Sequence, residues 1–185
     1  MKRSAGPLFL AMLLALAVPT LASAQASIFL GGGATIPTGD FGKDAKTGWM
    51  GTGGVVANVG SNGLFVAGEG FYGSNKDETG GGKTNLYGAD AGLGYRFGDQ
   101  AKAGPYIAGL LGALIHKDSP TTGSGDSSTG ILFGGIAGVD IPAGKVNLWI
   151  EGRWMNGRFS EDGDSFNTAF FGLFAGVSIP VGGSN

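Results

Sequence analysis

Residues 146–155, Val-Asn-Leu-Trp-Ile-Glu-Gly-Arg-Trp-Met, place two different chemistries on alternate positions. Val146, Leu148, Ile150, Gly152 and Trp154 form one set; Asn147, Trp149, Glu151, Arg153 and Met155 form the other. Successive side chains of a strand point to opposite faces. The stretch therefore reads as a strand with one apolar face and one face carrying a carboxylate and a guanidinium. The same alternation recurs in residues 87–97, where Tyr87, Ala89, Ala91, Leu93, Tyr95 and Phe97 oppose Gly88, Asp90, Gly92, Gly94 and Arg96. It recurs again in residues 169–179, where Ala169, Phe171, Leu173, Ala175, Val177 and Ile179 oppose Phe170, Gly172, Phe174, Gly176 and Ser178. A water-soluble barrel would keep its charges outside and its aliphatics inside. Here the charged residues Glu69, Asp90, Arg96, Asp140, Glu151 and Arg153 all fit a single inner face. What remains outside, with Leu148, Ile150, Leu173, Ala175 and Val177 near its middle, is a surface suited to lipid.

Near-alternating runs fall at about 26–36, 47–59, 64–73, 84–97, 105–116, 130–141, 146–156 and 166–179. Each is long enough for the roughly 9–11 residues that a tilted membrane-spanning strand needs. Their connections alternate in length. Gly60 to Gly63, Gly98 to Ala103 and Pro142 to Lys145 are short, whereas Ser74 to Lys83 and Lys117 to Thr129 are longer and polar, and the first and last hairpins are expected to follow them. An even number of strands with short turns at one end and long loops at the other predicts an eight-stranded antiparallel up-and-down transmembrane β-barrel. With the first strand starting in the periplasm, every long loop lies outside the cell.

The N-terminus agrees with export. Lys2 and Arg3 precede an apolar run of 11 residues, Leu8 to Val18, which Pro19 ends, and Ala22-Ser23-Ala24 stands before Gln25. This is the layout of a cleavable secretory signal over residues 1–24. The apolar run is too short to span a bilayer as a helix, which takes about 20 residues. The barrel domain is then expected over residues 25–185. Without Lys2 and Arg3 it carries 10 basic and 14 acidic residues, which offers no basic surface for nucleic acid. Its lack of cysteine excludes disulfides and thiolate metal sites. Charged residues make up 14% of the chain, against about 25% in soluble domains. With no spanning helix, a closed barrel is the way left to satisfy the backbone in lipid.

The chain has 39 glycines, spread through the apolar runs. The interior of an eight-stranded barrel is just wide enough for side chains to fill, so small residues are expected opposite rings such as Trp149 and Phe174. Trp49, Tyr72, Tyr87, Tyr95, Phe97, Tyr106 and Trp154, near run ends, are candidates for interfacial aromatic girdles. The run from Pro105 to Ile115 is apolar on both faces, and its register cannot be read.

Ile36-Pro37-Thr38-Gly39-Asp40-Phe41, the Glu69 strand, the Glu151-Gly152-Arg153 strand and the ending Gly176-Val-Ser-Ile-Pro180 resemble the outer-membrane β-barrel domain family, the group of OmpA/OmpX-like small barrels and many porin-like proteins. The resemblance covers the mature chain and implies residence in the outer membrane of a Gram-negative-type bacterium. The expected partners are outer-membrane lipids, the barrel assembly machinery and an extracellular ligand met through the outer loops. Barrels of this group often end in an aromatic residue read by that machinery, and Val181 stands where it would fall.

Catalytic, cofactor and metal sites are not expected. His116, with Asp118 and Ser119 beyond it, reads as a solvated rim histidine, since a residue two or three positions away in a proline-containing loop has no reason to bond to it. The acidic loops at Asp118–Gly130 and Glu161–Asp164 lack the spacing of an EF-type calcium loop. Gly31-Gly32-Gly33 opens no helix and so fails as a phosphate loop. The reading is a non-enzymatic structural or surface-interaction barrel without a wide pore. The alternatives are a passive conduit or binder for small apolar molecules and, more distantly, a lipid-modifying rim enzyme.

Overall fold

The computed structural model describes residues 26–98, 103–121, 125–161 and 164–181. The leader expected at residues 1–24 lies outside them. Eight antiparallel strands run in chain order: β1 Ala26–Thr38, β2 Gly48–Asn58, β3 Leu64–Lys76, β4 Lys83–Arg96, β5 Gly104–Ser119, β6 Ser127–Ala143, β7 Val146–Glu161 and β8 Asp164–Val181. One short helix, α1 Phe41–Asp44, sits between β1 and β2. Each strand pairs with its neighbours in sequence, and β8 pairs back onto β1 from Ala26↔Val181 to Thr38↔Ala169. Closure leaves no sheet edge, which is the condition for placing β-structure in hydrocarbon.

The period-2 faces decide which residues go where. Leu148, Ile150, Leu173, Ala175 and Val177 point outward, and Leu173 is 64% exposed. Outward rings gather at both ends of the wall. Trp49, Tyr72 and Tyr87 form a cluster near the long loops, with centroids 5.8 and 6.3 Å apart, and Tyr95 meets Phe97 at 5.0 Å near the short turns. The two-residue turn Gly144-Lys145 between β6 and β7 has Gly144 at φ 73°, a conformation in which a Cβ is strained.

Two expectations are corrected. The segment expected as a loop after residue 156 is strand: β7 and β8 stay paired from Asn156↔Ala169 to Glu161↔Asp164. Its outward positions Asn156, Arg158, Ser160, Ser165 and Asn167 are polar because they stand beyond the apolar wall, so the lipid-facing pattern does not mark it, while Phe159 and Phe166 stack on its other face. The run with the unreadable register, β5, turns Tyr106 inward at 8% exposure, so Tyr106 is not part of a girdle.

A closed barrel of this kind resists unfolding by SDS at room temperature. Unboiled and boiled samples should therefore migrate differently on a gel. Identical migration, with solubility in the absence of detergent, would rule out the membrane barrel.

Candidate functional site

The lumen has two halves of opposite character. Toward the long loops it is filled. Met50, Leu86, Leu114, Leu132, Met155, Phe159, Phe170 and Phe174 are each at most 1% exposed, and Phe41 of α1 closes the top. Glycine makes this density possible. A Cβ on Gly172 would overlap the Phe174 ring, and one on Gly157 would overlap Leu114. Toward the short turns the lumen holds a cavity of about 420 Å³, which runs from Ser27, Asn58 and Pro142 up to Glu69, Asp90, Glu151 and Arg153.

The six charged residues placed inside by the sequence all face the lumen side of their strands, but they form two groups rather than one network. At mid-height Arg153, 2% exposed, is shared by two carboxylates. Its Nη1 donates to Glu69 Oε1, its Nη2 donates to Glu69 Oε2 at 3.0 Å, and its Nε donates to Glu151 Oε1. Thr52 Oγ1 donates to Glu69 at 3.0 Å, Tyr106 Oη donates to Glu151 at 2.6 Å, and the guanidinium lies 4.6 Å from the Phe174 ring centre. Asp90 stands beside this group, cross-strand from Glu69, while the Arg153 hydrogen bonds go to Glu69 and Glu151. Nearer the short turns, Arg96 Nε donates to Asp140 Oδ2 at 2.7 Å and Nη1 donates to Asn58 Oδ1 at 3.0 Å. Sequence reasoning missed Thr52, Asn58 and Tyr106 as partners. Period-2 patterning gives the face of a residue, whereas its neighbours follow from inter-strand register.

His116 is also corrected. It is not a solvated rim residue: its side chain is 13% exposed and packs edge-on against Phe41, Phe159 and Phe166. Its Nε2 lies 3.0 Å from Asp118 Oδ1, and its Nδ1 lies 2.9 Å from Thr168 Oγ1. The contact arises because β5 continues to Ser119, so Asp118 shares the inner face of His116 instead of entering a loop. The order hydroxyl, imidazole, carboxylate has the outline of a nucleophile with its base and orienting acid. Thr168, however, is 1% exposed beneath the aromatic cluster, where no lipid substrate reaches it. Among the described residues no group of three His, Cys, Asp or Glu is arranged to hold a metal ion.

No curated protein sequence matches the chain. Three solved folds are similar to it at low identity. Neisserial surface protein A (NspA) is 20% identical with TM-score 0.66, covering 84% of this chain and 97% of its own. Ail, the attachment invasion locus protein of Yersinia pestis, is 20% identical with TM-score 0.54, covering 84% and 99%. The N-terminal β-barrel domain of Pseudomonas aeruginosa OprF is 15% identical with TM-score 0.52, covering 85% and 100%. The family described as outer membrane protein beta-barrel domain matches residues 8–178. With its closed eight-strand wall, apolar outside and charged within, this chain belongs to that family and is an outer-membrane protein of the Gram-negative type.

Proposed function

We propose that the chain is a non-conducting envelope barrel that acts by presenting its long-loop rim outside the cell. The packed outer half of the lumen carries this reading, because eight fully buried apolar side chains leave no room there for a file of water. The rim itself is tied together. Ala45 bridges to Asp77, Lys46 N donates to Lys76 O at 2.7 Å, Glu78 N donates to Asp44 O at 2.8 Å, and Thr121 Oγ1 donates to Gly80 O at 3.1 Å. A held rim keeps a fixed arrangement of Lys46, Asp77 and Glu78 that a partner can recognise without first ordering loops.

In planar bilayers the refolded protein should show no stepwise conductance. Reproducible channels would overturn the non-conducting reading. A short epitope inserted at Gly80-Gly81 should be labelled on intact cells, while the same epitope at Gly144-Lys145 should not. The reverse labelling would overturn the assignment of the rim to the outside.

A further inference from the structure

The inner half of the lumen holds more negative than positive charge: Glu69, Asp90, Asp140 and Glu151 face only Arg96 and Arg153. Glu69 and Asp90 are direct cross-strand partners on the inner face, an arrangement of like charges that destabilises a sheet. The guanidinium of Arg153 is spent on Glu69 and Glu151, and Arg96 is held by Asp140. Three carboxylates at mid-height thus face one cation. Asp90 is 8% exposed and lines the cavity, yet its Oδ2 has no hydrogen-bond partner among the described residues. Trp149 is 5% exposed and lines the same cavity, and its indole Nε1 also lacks a partner. Buried polar groups are nearly always paired, and leaving one unpaired is costly. No lysine lines this cavity. A volume of about 420 Å³ lies within the usual range of small-molecule sites, whereas a single water occupies about 30 Å³ of liquid.

We propose that the lumen cavity is a binding site for a small amphipathic amine that enters from the periplasmic end. The ammonium donates to Asp90, relieving the Glu69–Asp90 repulsion. The apolar part lies against Phe29, Phe65, Leu110, Ile136 and the Trp149 ring, all of which line the cavity. An ammonium can offer its donors to Asp90 and Glu69 together, which a neutral molecule cannot match. This site is distinct from the rim and stands whether or not the rim contacts a partner. It also differs from the alternative read in the sequence, because its selectivity comes from charge as much as from apolar area.

Trp149 supplies the readout. In a Trp49→Phe, Trp154→Phe background, which removes the two outward tryptophans, the full barrel is refolded in nanodiscs and titrated with phenethylamine or with phenethyl alcohol. Folding is checked by the migration shift on boiling. The amine should give a saturable change in Trp149 emission, and the alcohol should bind at least about tenfold more weakly. Asp90→Asn should bring the amine down to the level of the alcohol, and Ala108→Phe, which fills the cavity, should abolish both responses. Asp40→Asn, at an exposed position beyond the filled half, should change neither. Equal affinity for amine and alcohol, amine binding unaffected by Asp90→Asn, or a folded barrel with no saturable response would each overturn the proposal. If Asp90→Asn does not fold, the amine–alcohol difference and the Ala108→Phe variant decide.

Discussion

Replacing Arg153 by methionine should lower the stability of the folded barrel by about 3–5 kcal/mol, the usual cost of removing one partner of a buried ion pair. The size of the loss comes from what is left behind. Glu69 and Glu151 are 8% and 5% exposed and would lose their cation together, with Asp90 still opposite Glu69. Methionine retains most of the volume, so the loss reports stranded charge rather than a void. The measurement is the urea midpoint of refolded protein in lipid vesicles. Lys46→Ala is the comparison, because the Lys46–Glu78 pair is 3.7 Å apart with both side chains 53% exposed, and such pairs are worth about 1 kcal/mol or less. Equal shifts from the two variants would show that Arg153 does not hold the interior together.

Strand β8 offers a comparison between adjacent residues. Leu173, paired with Gly152 and Ala34, faces outward, whereas the Cβ of any residue at 172 would meet the Phe174 ring. Leu173→Phe should fold normally, since lipid accommodates bulk. Leu173→Arg should lose about 2–4 kcal/mol, the cost of a cation near the membrane midplane on a barrel surface. Gly172→Phe should fail to assemble, because the filled interior has no room for a second ring beside Phe174. Migration on unboiled gels scores all three variants. Normal folding of Gly172→Phe with failure of Leu173→Phe would mean that the two faces of β8 are exchanged.

The barrel was readable in the sequence wherever the wall crosses lipid. Hydrocarbon forbids outward charge, so β4, β7 and β8 carry a period-2 signal strong enough to count strands and place turns. The signal fades where that constraint ends. The β7–β8 hairpin beyond residue 156 is polar on its outward face, so the apolar pattern stops short of the strand ends. In β5 the opposite holds. Leu110 and Leu114 face the interior while Ile107 and Leu111 face outward, so both faces are apolar and nothing local marks Tyr106 as inward. The bond between Arg153 and Glu69 joins residues 84 positions apart through strand register, which no local pattern encodes. His116 departs from its expected place for the related reason that β5 is longer than its apolar pattern.

The fit of bare backbone to ring also constrains how this interior can change by descent. Gly172 with Phe174, and Gly157 with Leu114, are pairs in which only side-chain atoms stand in the way of an added methyl group. A larger residue at 172 becomes acceptable only after Phe174 has been shortened. Shortening Phe174 first, however, removes the ring beneath the Arg153 guanidinium and opens a hole in the filled half. Each order of substitution passes through a damaged intermediate, whereas the double change restores the volume. Relatives of this chain should therefore either keep the small and large members of such a pair together or exchange both, so the two positions are inherited as one unit although each, taken alone, is an ordinary glycine or an ordinary ring.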